Sequence, residues 1–288
     1  MARLLITGAD GQLGNCFQAV APQFPKNHFY FATQLEVDIT QPEALHVFYK
    51  KNPFDILLNC AAYSGVDLAE KESNKAHSIN VNGVKSIASF AAQNSIGVVH
   101  FSTDYVFDGK HPQGYSESDL PNPISVYGES KALGEKVLRE SKGSATTIRT
   151  SWLFSPYGKN FVKTILQLSK EKKTLSIVDD QIGKPTSGIA LADWVLKAIQ
   201  FPEFFSQSTY HFAQGPSCSW YAFAQKILAI ANLPCELYPC KSEEYPTLAE
   251  RPKHSVLLTQ ETENKIPLPI SSWEMALEAC IQKLQTNE

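Results

Sequence analysis

The chain has 288 residues, 43% hydrophobic and 19% charged, enough apolar material for one large core or two domains and unlike the composition of a disordered segment. With 26 Lys and Arg against 29 Asp and Glu, the net charge is -3, which excludes the basic surplus that binding to a nucleic-acid backbone exploits. No apolar run approaches the ~18 residues of a membrane span, and too few apolar residues precede Thr7-Gly8 for a signal-peptide core.

A cytoplasmic protein with no membrane or nucleic-acid partner is therefore expected. Its six cysteines, Cys16, Cys60, Cys218, Cys235, Cys240 and Cys280, form no C-x-x-C pair and no Cys/His cluster, so most are expected to be buried free thiols and no metal site is expected.

In chain order, Arg3 to Thr7 is a short apolar run, followed by the glycines of Gly8 to Gly14 and a helix through Asn15 to Val20. Further strands are predicted at His28 to Ala32, Phe54 to Cys60, Gly97 to Ser102 and Thr146 to Thr150. Helices fall near Pro42 to Lys50, Asn74 to Gln93 and Val126 to Glu140. This alternation predicts an α/β protein with a doubly wound parallel sheet. Beyond residue 150, prolines and glycines shorten the segments. A smaller second lobe follows, holding helices at Asn160 to Lys170, Trp220 to Asn232 and Ser272 to Lys283. The helix Gly188 to Gln200 and the strand Thr209 to Phe212 return to the sheet.

ITGADGQLG places Gly8, Gly11 and Gly14 three apart between a strand and a helix. Glycines there keep the turn tight and let a pyrophosphate approach the exposed amides of the helix start, although three glycines can also serve packing alone. This makes residues 1–152 plus about 187–213 a dinucleotide-binding Rossmann domain, with about 153–186 plus 214–288 as the substrate-binding lobe. Gln34, 20 residues after Gly14, and its neighbour Thr33 are neither acidic nor basic, so the choice between NADPH and NADH stays open. Asp38, at the end of a third short strand over Leu35-Glu36-Val37, is placed to accept from an adenine amino group. Capping of the next helix by Asp38 and Thr40 is the other reading.

Tyr127 and Lys131 are four residues apart, hence on one helix face, where a nearby ammonium favours the phenolate and lowers the phenol's pKa. The same spacing arises by chance on many helices. Thr103 closes the strand ending Phe101-Ser102-Thr103-Asp104-Tyr105, and ligands gather at such carboxyl ends. Thr103 could bond its own backbone instead. His100 is read as a satisfied core histidine.

ITGADGQLG, VDIT, DILLNCAAYSGVDLAE, INVNG, FSTDYVFDG, YSESDLPNPISVYGESKALGE, RTSWLFSPYGKNF, DDQIGKPT and LAERPKHSVL, in this order, resemble the extended short-chain dehydrogenase/reductase family, specifically its keto-sugar-nucleotide reductases. The resemblance implies that Tyr127 is the acid/base and also touches the coenzyme, that Lys131 lowers its pKa and bonds the nicotinamide ribose, and that Thr103 bonds the reacting oxygen. It further implies that Gly8, Gly11, Gln12, Leu13 and Gly14 cradle the pyrophosphate. Asp38 and Ile39 would meet the adenine, and Ala61, Ala62 and Tyr63 the adjoining ribose and phosphate. Thr103, Asp104 and Trp152, with Tyr105 nearby, would hold a dTDP-sugar. The implied reaction is hydride transfer from NADPH or NADH to the C4 carbonyl of dTDP-4-dehydro-L-rhamnose, giving a precursor of cell-surface polysaccharide. Some members dimerise around magnesium held by glutamates. Here Ser187 to Ala192 has no acid before Asp193, which argues against a metal-bridged dimer while leaving a homodimer open.

Two rivals share the resemblance. Sugar-nucleotide dehydratases and epimerases carry the same Tyr-Lys pair, but the dehydratases follow the threonine with Asp-Glu, and here Tyr105 follows Asp104. The regulatory subunit of methionine adenosyltransferase is similar too, yet Thr103, Tyr127, Lys131 and Trp152 together favour an enzyme.

Overall fold

The computed structural model describes residues 1–286. The first half alternates strand and helix. β1 (Arg3–Thr7) leads to α1 (Gln12–Val20), β2 (His28–Ala32), α2 (Pro42–Lys51) and β3 (Ile56–Asn59). Short helices α3 (Val66–Ala69) and α4 (Ser73–His77) pass through a π-helical turn, Ser78–Gly83, into α5 (Val84–Asn94). β4 (Gly97–Thr103), α6 (Val126–Arg139) and β5 (Ala145–Thr150) complete this half.

The second half contains β6 (Leu153–Phe154), α7 (Phe161–Glu171), β7 (Thr174–Val178), β8 (Ile182–Gly183) and β9 (Thr186–Ser187). It continues through α8 (Gly188–Ala198), β10 (Thr209–His211), β11 (Cys218–Ser219) and α9 (Trp220–Ala231). β12 (Glu236–Cys240), α10 (Gln260–Lys265) and α11 (Trp273–Thr286) finish it.

Six strands form one parallel sheet in the order β10-β5-β4-β3-β1-β2. Strands such as Leu4-Leu5-Ile6 and Val98-Val99 are apolar on both faces because helices cover both sides. Cys16 and Phe17 of α1 pack with Leu191, Trp194 and Val195 of α8 on one face. On the other, Leu5, Leu57 and Val98 meet Ile87 and Phe90 of α5. A third core joins α7, α9 and α11 through Ile165, Phe223, Ile227 and Leu277, beside the β7·β12 pair. The chain leaves β1 toward β2 and then crosses back to β3, so a crevice opens above the carboxyl ends of β1 and β3.

Three local expectations differ from the fold. Leu35-Glu36-Val37 is a turn, because the Glu36 carboxylate takes both the Thr33 amide (2.9 Å) and its hydroxyl (3.1 Å) while the Val37 amide donates to the Thr33 carbonyl. This local closure withdraws the segment from any strand pairing. Asp38 and Thr40 do not cap α2. Thr40 donates its amide and hydroxyl to Asp38 Oδ1, and the cap residue is Gln41, ahead of Pro42. The single helix expected from Asn74 to Gln93 is broken by the π-helical turn that carries Asn80.

Candidate active site

α1 starts at Gly11 with no side-chain cap and no acidic residue in its first turn, so its leading amides are free for an anion. Only glycine fits the packing of this turn: a Cβ on Gly14 would stand 2.3 Å from the Gly8 carbonyl oxygen and 2.6 Å from Ala9 Cα. Gln12 ties the turn to the far side of the cleft, donating to the Leu153 carbonyl at 3.1 Å. Gly8, Gly11, Gln34, Asp38, Ile39, Ala61 and Ala62 line the adjoining cavity, while Leu13 turns into the core. The free amides, glycine cradle and small Ala61-Ala62 wall fit the pyrophosphate, ribose and adenine of a nicotinamide dinucleotide.

Asn80, 1% exposed, holds the wall of that cavity. Its amide oxygen accepts from the Tyr63 amide at 2.9 Å, and its nitrogen donates to the Tyr63 carbonyl (3.0 Å) and to Ser130 Oγ (2.9 Å). The π-helical turn aims Asn80 at both the loop after β3 and α6. Such turns recur at functional sites.

α6 begins at Ser125, whose hydroxyl accepts from the Gly128 amide, while the Glu70 carboxylate accepts from the Val126 amide. In its first turn, Tyr127 is half-buried and edge-on to Tyr105, with ring centroids 5.8 Å apart. Burial pushes the Tyr127 phenol up to about 12, partly offset by its hydrogen bond with Thr103. The lowered phenol expected from Lys131 is not found. The Lys131 ammonium, 2% exposed, donates to the Phe101 carbonyl (2.7 Å) and contacts His100 Nε2 (3.3 Å), and burial lowers it to about 8. Tyr127 thus keeps its proton at neutral pH, the state needed to donate it.

Thr103 bonds within its own turn, as one reading of it expects. Its hydroxyl accepts from the Tyr105 amide, a contact within its own turn, and also meets Tyr127 and Asp104 Oδ1. Asp104 is 2% exposed, and Ser255 donates to its other oxygen at 2.5 Å. Burial raises the Asp104 carboxyl to about 6 against these hydrogen bonds. The folded carboxyl therefore binds its proton more tightly than the unfolded chain does, so stability falls as pH rises from about 4 to about 6. Asp104→Asn is expected to flatten that part of a urea-unfolding series. A slope equal to the parent's would assign the effect to another group.

Tyr105 is buried, with its phenol driven upward by desolvation and held beside Arg251. Arg251 is fixed by Asp67 at 2.7 Å. Trp152 has the positive φ of 46°, strained for a non-glycine residue. Its indole stacks on Trp220, with centroids 3.5 Å and planes 7° apart. Behind it lies Gly183, where a Cβ would come within 2.4 Å of the ring. Sequence reasoning missed Asn80, Arg251, Ser255, Trp220 and Gly183 as parts of the site. The segments INVNG, LAERPKHSVL and DDQIGKPT contain Asn80, Arg251 with Ser255, and Gly183, whereas Trp220 lies in none of the matched segments.

A coenzyme cradle at the switch of a parallel sheet, with Tyr127, Lys131 and Thr103 beside it, defines a Rossmann-type reductase. The chain belongs to the family described as RmlD substrate binding domain, which matches residues 2–286. It is 39% identical to the dTDP-4-dehydrorhamnose reductase of Aggregatibacter actinomycetemcomitans, over 96% of this chain and 97% of that one. It is 37% identical to the spore coat polysaccharide biosynthesis protein SpsK of Bacillus subtilis, over 98% of each. The crystal structure of dTDP-4-dehydrorhamnose reductase from Bacillus anthracis in complex with NADP superposes with a TM-score of 0.92 at 38% identity, covering 98% of this chain and 99% of that one.

Proposed function

We propose that this chain catalyses the NAD(P)H-dependent reduction of the C4 carbonyl of dTDP-4-dehydro-L-rhamnose to dTDP-L-rhamnose. The observation that carries the reading is the pairing of the protonated Tyr127 phenol with the Thr103 hydroxyl, beside a dinucleotide cradle, in a chain of this family. The coenzyme is assigned to residues 1–152 plus about 187–213, where the two cores flanking the six-stranded sheet lie. The sugar nucleotide is assigned to about 153–186 plus 214–288, which contain most of the third core.

Gly8, Gly11, Gln12, Leu13 and Gly14 hold the pyrophosphate, Asp38 and Ile39 the adenine, and Ala61, Ala62 and Tyr63 the neighbouring ribose and phosphate. The bound coenzyme supplies the hydride. Thr103 orients the substrate oxygen, and Tyr127 delivers its proton as that oxygen becomes an alkoxide, a stronger base than the phenolate left behind. Lys131 bonds the nicotinamide ribose and stabilises the negative charge arriving at Tyr127, a charge that exists only once the reaction is under way. Asp104 and Tyr105 flank the sugar nucleotide, and Trp152 offers its face to the sugar ring.

The six cysteines are free thiols, in keeping with action in the cytoplasm. No helix among the described residues is long and apolar enough to cross a membrane.

Absorbance at the reduced-nicotinamide band, followed with dTDP-4-dehydro-L-rhamnose and either NADPH or NADH, tests the reading. Sugar-dependent oxidation supports it and ranks the coenzymes. Folded protein that binds coenzyme without oxidising it would count against the assignment. Gly183→Ala, which pushes the Trp152 ring from its slot, is expected to raise KM for the sugar about tenfold while coenzyme affinity stays within twofold. Equal losses of both affinities would show that Trp152 serves the fold and not the sugar.

A further inference from the structure

Thr7, Asn59 and His100 are register partners on β1, β3 and β4, so their side chains form a row on the face of the sheet that α6 covers. They are 0%, 2% and 1% exposed. The Thr7 hydroxyl lies 2.8 Å from Asn59 Oδ1, Asn59 Nδ2 lies 3.1 Å from His100 Nδ1, and His100 Nε2 lies 3.3 Å from Lys131 Nζ. The reaction as derived above uses Lys131 and leaves the other three without a task.

A neutral imidazole has one donor and one acceptor, and the row makes that choice consequential. When Lys131 is an ammonium, Nε2 must accept. Nδ1 then carries the hydrogen and needs an acceptor, which Asn59 provides by presenting its oxygen and giving its nitrogen to the Thr7 oxygen. When Lys131 is a neutral amine, Nε2 carries the hydrogen and donates to it, Nδ1 accepts from Asn59 Nδ2, and the Thr7 hydroxyl donates to Asn59 Oδ1. The amide orientation in the structure matches this second arrangement, and turning the amide over gives the first without moving a heavy atom out of place.

We propose that His100 is a positioning residue of the reaction: its uncharged ring, aimed by Asn59 and Thr7, fixes the Lys131 amine in place and couples the charge on that amine to the ring's tautomer. Burial, then the Lys131 charge, holds the imidazole well below its ordinary range, so the ring stays neutral throughout the working pH. Lys131 faces His100 from β4, Glu135 on its own helix, and Cys60 beyond β3, whose thiol burial keeps protonated; Arg149 of β5 reaches the region through its ion pair with Glu135. Among these, His100 is the neighbour that can accept from the ammonium or donate to the amine.

This inference rests on the reductase reading for its kinetic arm, and an independent arm reads the ring directly. Long-range nitrogen–proton NMR of the wild-type protein with labelled histidine should show His100 neutral from pH 6 to 9, its tautomer changing near the pH at which Lys131 titrates, about 8, and that change lost in Lys131→Met. A His100 that protonates in this range, or a tautomer indifferent to Lys131, overturns the proposal even if no keto-sugar is reduced.

In kinetics, His100→Leu removes an acceptor from the ammonium, so the alkaline limb of the kcat profile should move about one pH unit lower. His100→Gln, which restores an amide oxygen at similar reach, should return most of the shift, and Thr7→Val should give a smaller one in the same direction. An alkaline limb unmoved in both His100→Gln and Thr7→Val, alongside a wild-type profile in His100→Leu, would reduce His100 to core packing. If His100→Leu does not fold, Thr7→Val and the NMR arm decide.

Discussion

Tyr127→Phe is expected to lower kcat by about 10²–10⁴-fold, the usual range for a lost general acid, while coenzyme affinity stays within about twofold. The substitution deletes one oxygen from a half-buried ring and leaves its apolar body against Tyr105, so the helix and the cradle keep their packing. The phenol's hydrogen-bond partner is Thr103, at the end of β4 and not in the glycine turn, and binding of NADPH or NADH, measured by fluorescence titration, should not register the loss. Because burial holds the wild-type phenol near 12, it is protonated across the neutral range, so its own ionisation contributes no fall in rate below about pH 10. The alkaline limb expected before that belongs to Lys131, near 8 in the protein without coenzyme. Retained turnover in Tyr127→Phe would remove Tyr127 as proton donor and turn attention to Thr103 or a water held by it.

The parts of this site that could be read from sequence are those fixed by local chain geometry. The turn from Gly8 to Gly14 is contiguous, and the four-residue step from Tyr127 to Lys131 needs only a helix. The apolar strands follow from runs such as Leu4-Leu5-Ile6. What escaped depends on long-range register or on a side chain overriding the local pattern. His100 meets Lys131 across 31 residues and Asn59 across 41, through strand pairing and helix-on-sheet packing that no spacing rule encodes. Read as a core histidine, it is indeed buried and satisfied, but one of its partners is Lys131. Trp220 stacks on Trp152 because α9 of the second lobe meets the segment that follows β5, and the positive φ of Trp152 is invisible in RTSWLF. The strand predicted at Leu35-Glu36-Val37 failed because one carboxylate, Glu36, closed the turn on Thr33. The break at Asn80 likewise answers a tertiary demand, the two backbone groups of Tyr63 that its amide satisfies. Pattern reading assumes that backbone groups pair within regular elements, and each of these departures is a side chain taking that place.

Arg149→Met is expected to cost a large share of the stability. Arg149 and Glu135 are each 2% exposed and joined by three hydrogen bonds of 2.8–3.2 Å, with the guanidinium 5.0 Å from the Phe107 ring centroid and 3.4 Å from His211 Nε2. His211 stays uncharged, lowered to about 3 by desolvation and then by Arg149, so it cannot replace the lost cation. Methionine fills much of the volume but leaves the Glu135 carboxylate in the interior without its counter-charge, a loss of about 3–5 kcal/mol. For a chain of this size that corresponds to a fall in Tm of roughly 6–20 °C. The pair itself is a weaker source of stability than its geometry suggests, since desolvating two charges offsets most of their attraction. The double variant Glu135→Leu with Arg149→Met should accordingly recover most of the loss in a thermal melt. It would not recover the site, because Glu135 is also the nearest anion raising the Lys131 ammonium against burial. The double variant is therefore expected to melt close to the parent and yet lose activity at lower pH. A single variant melting within about 2 °C of the parent would mean that Glu135 finds another partner, and a double variant with the parent's alkaline limb would detach the buried pair from catalysis.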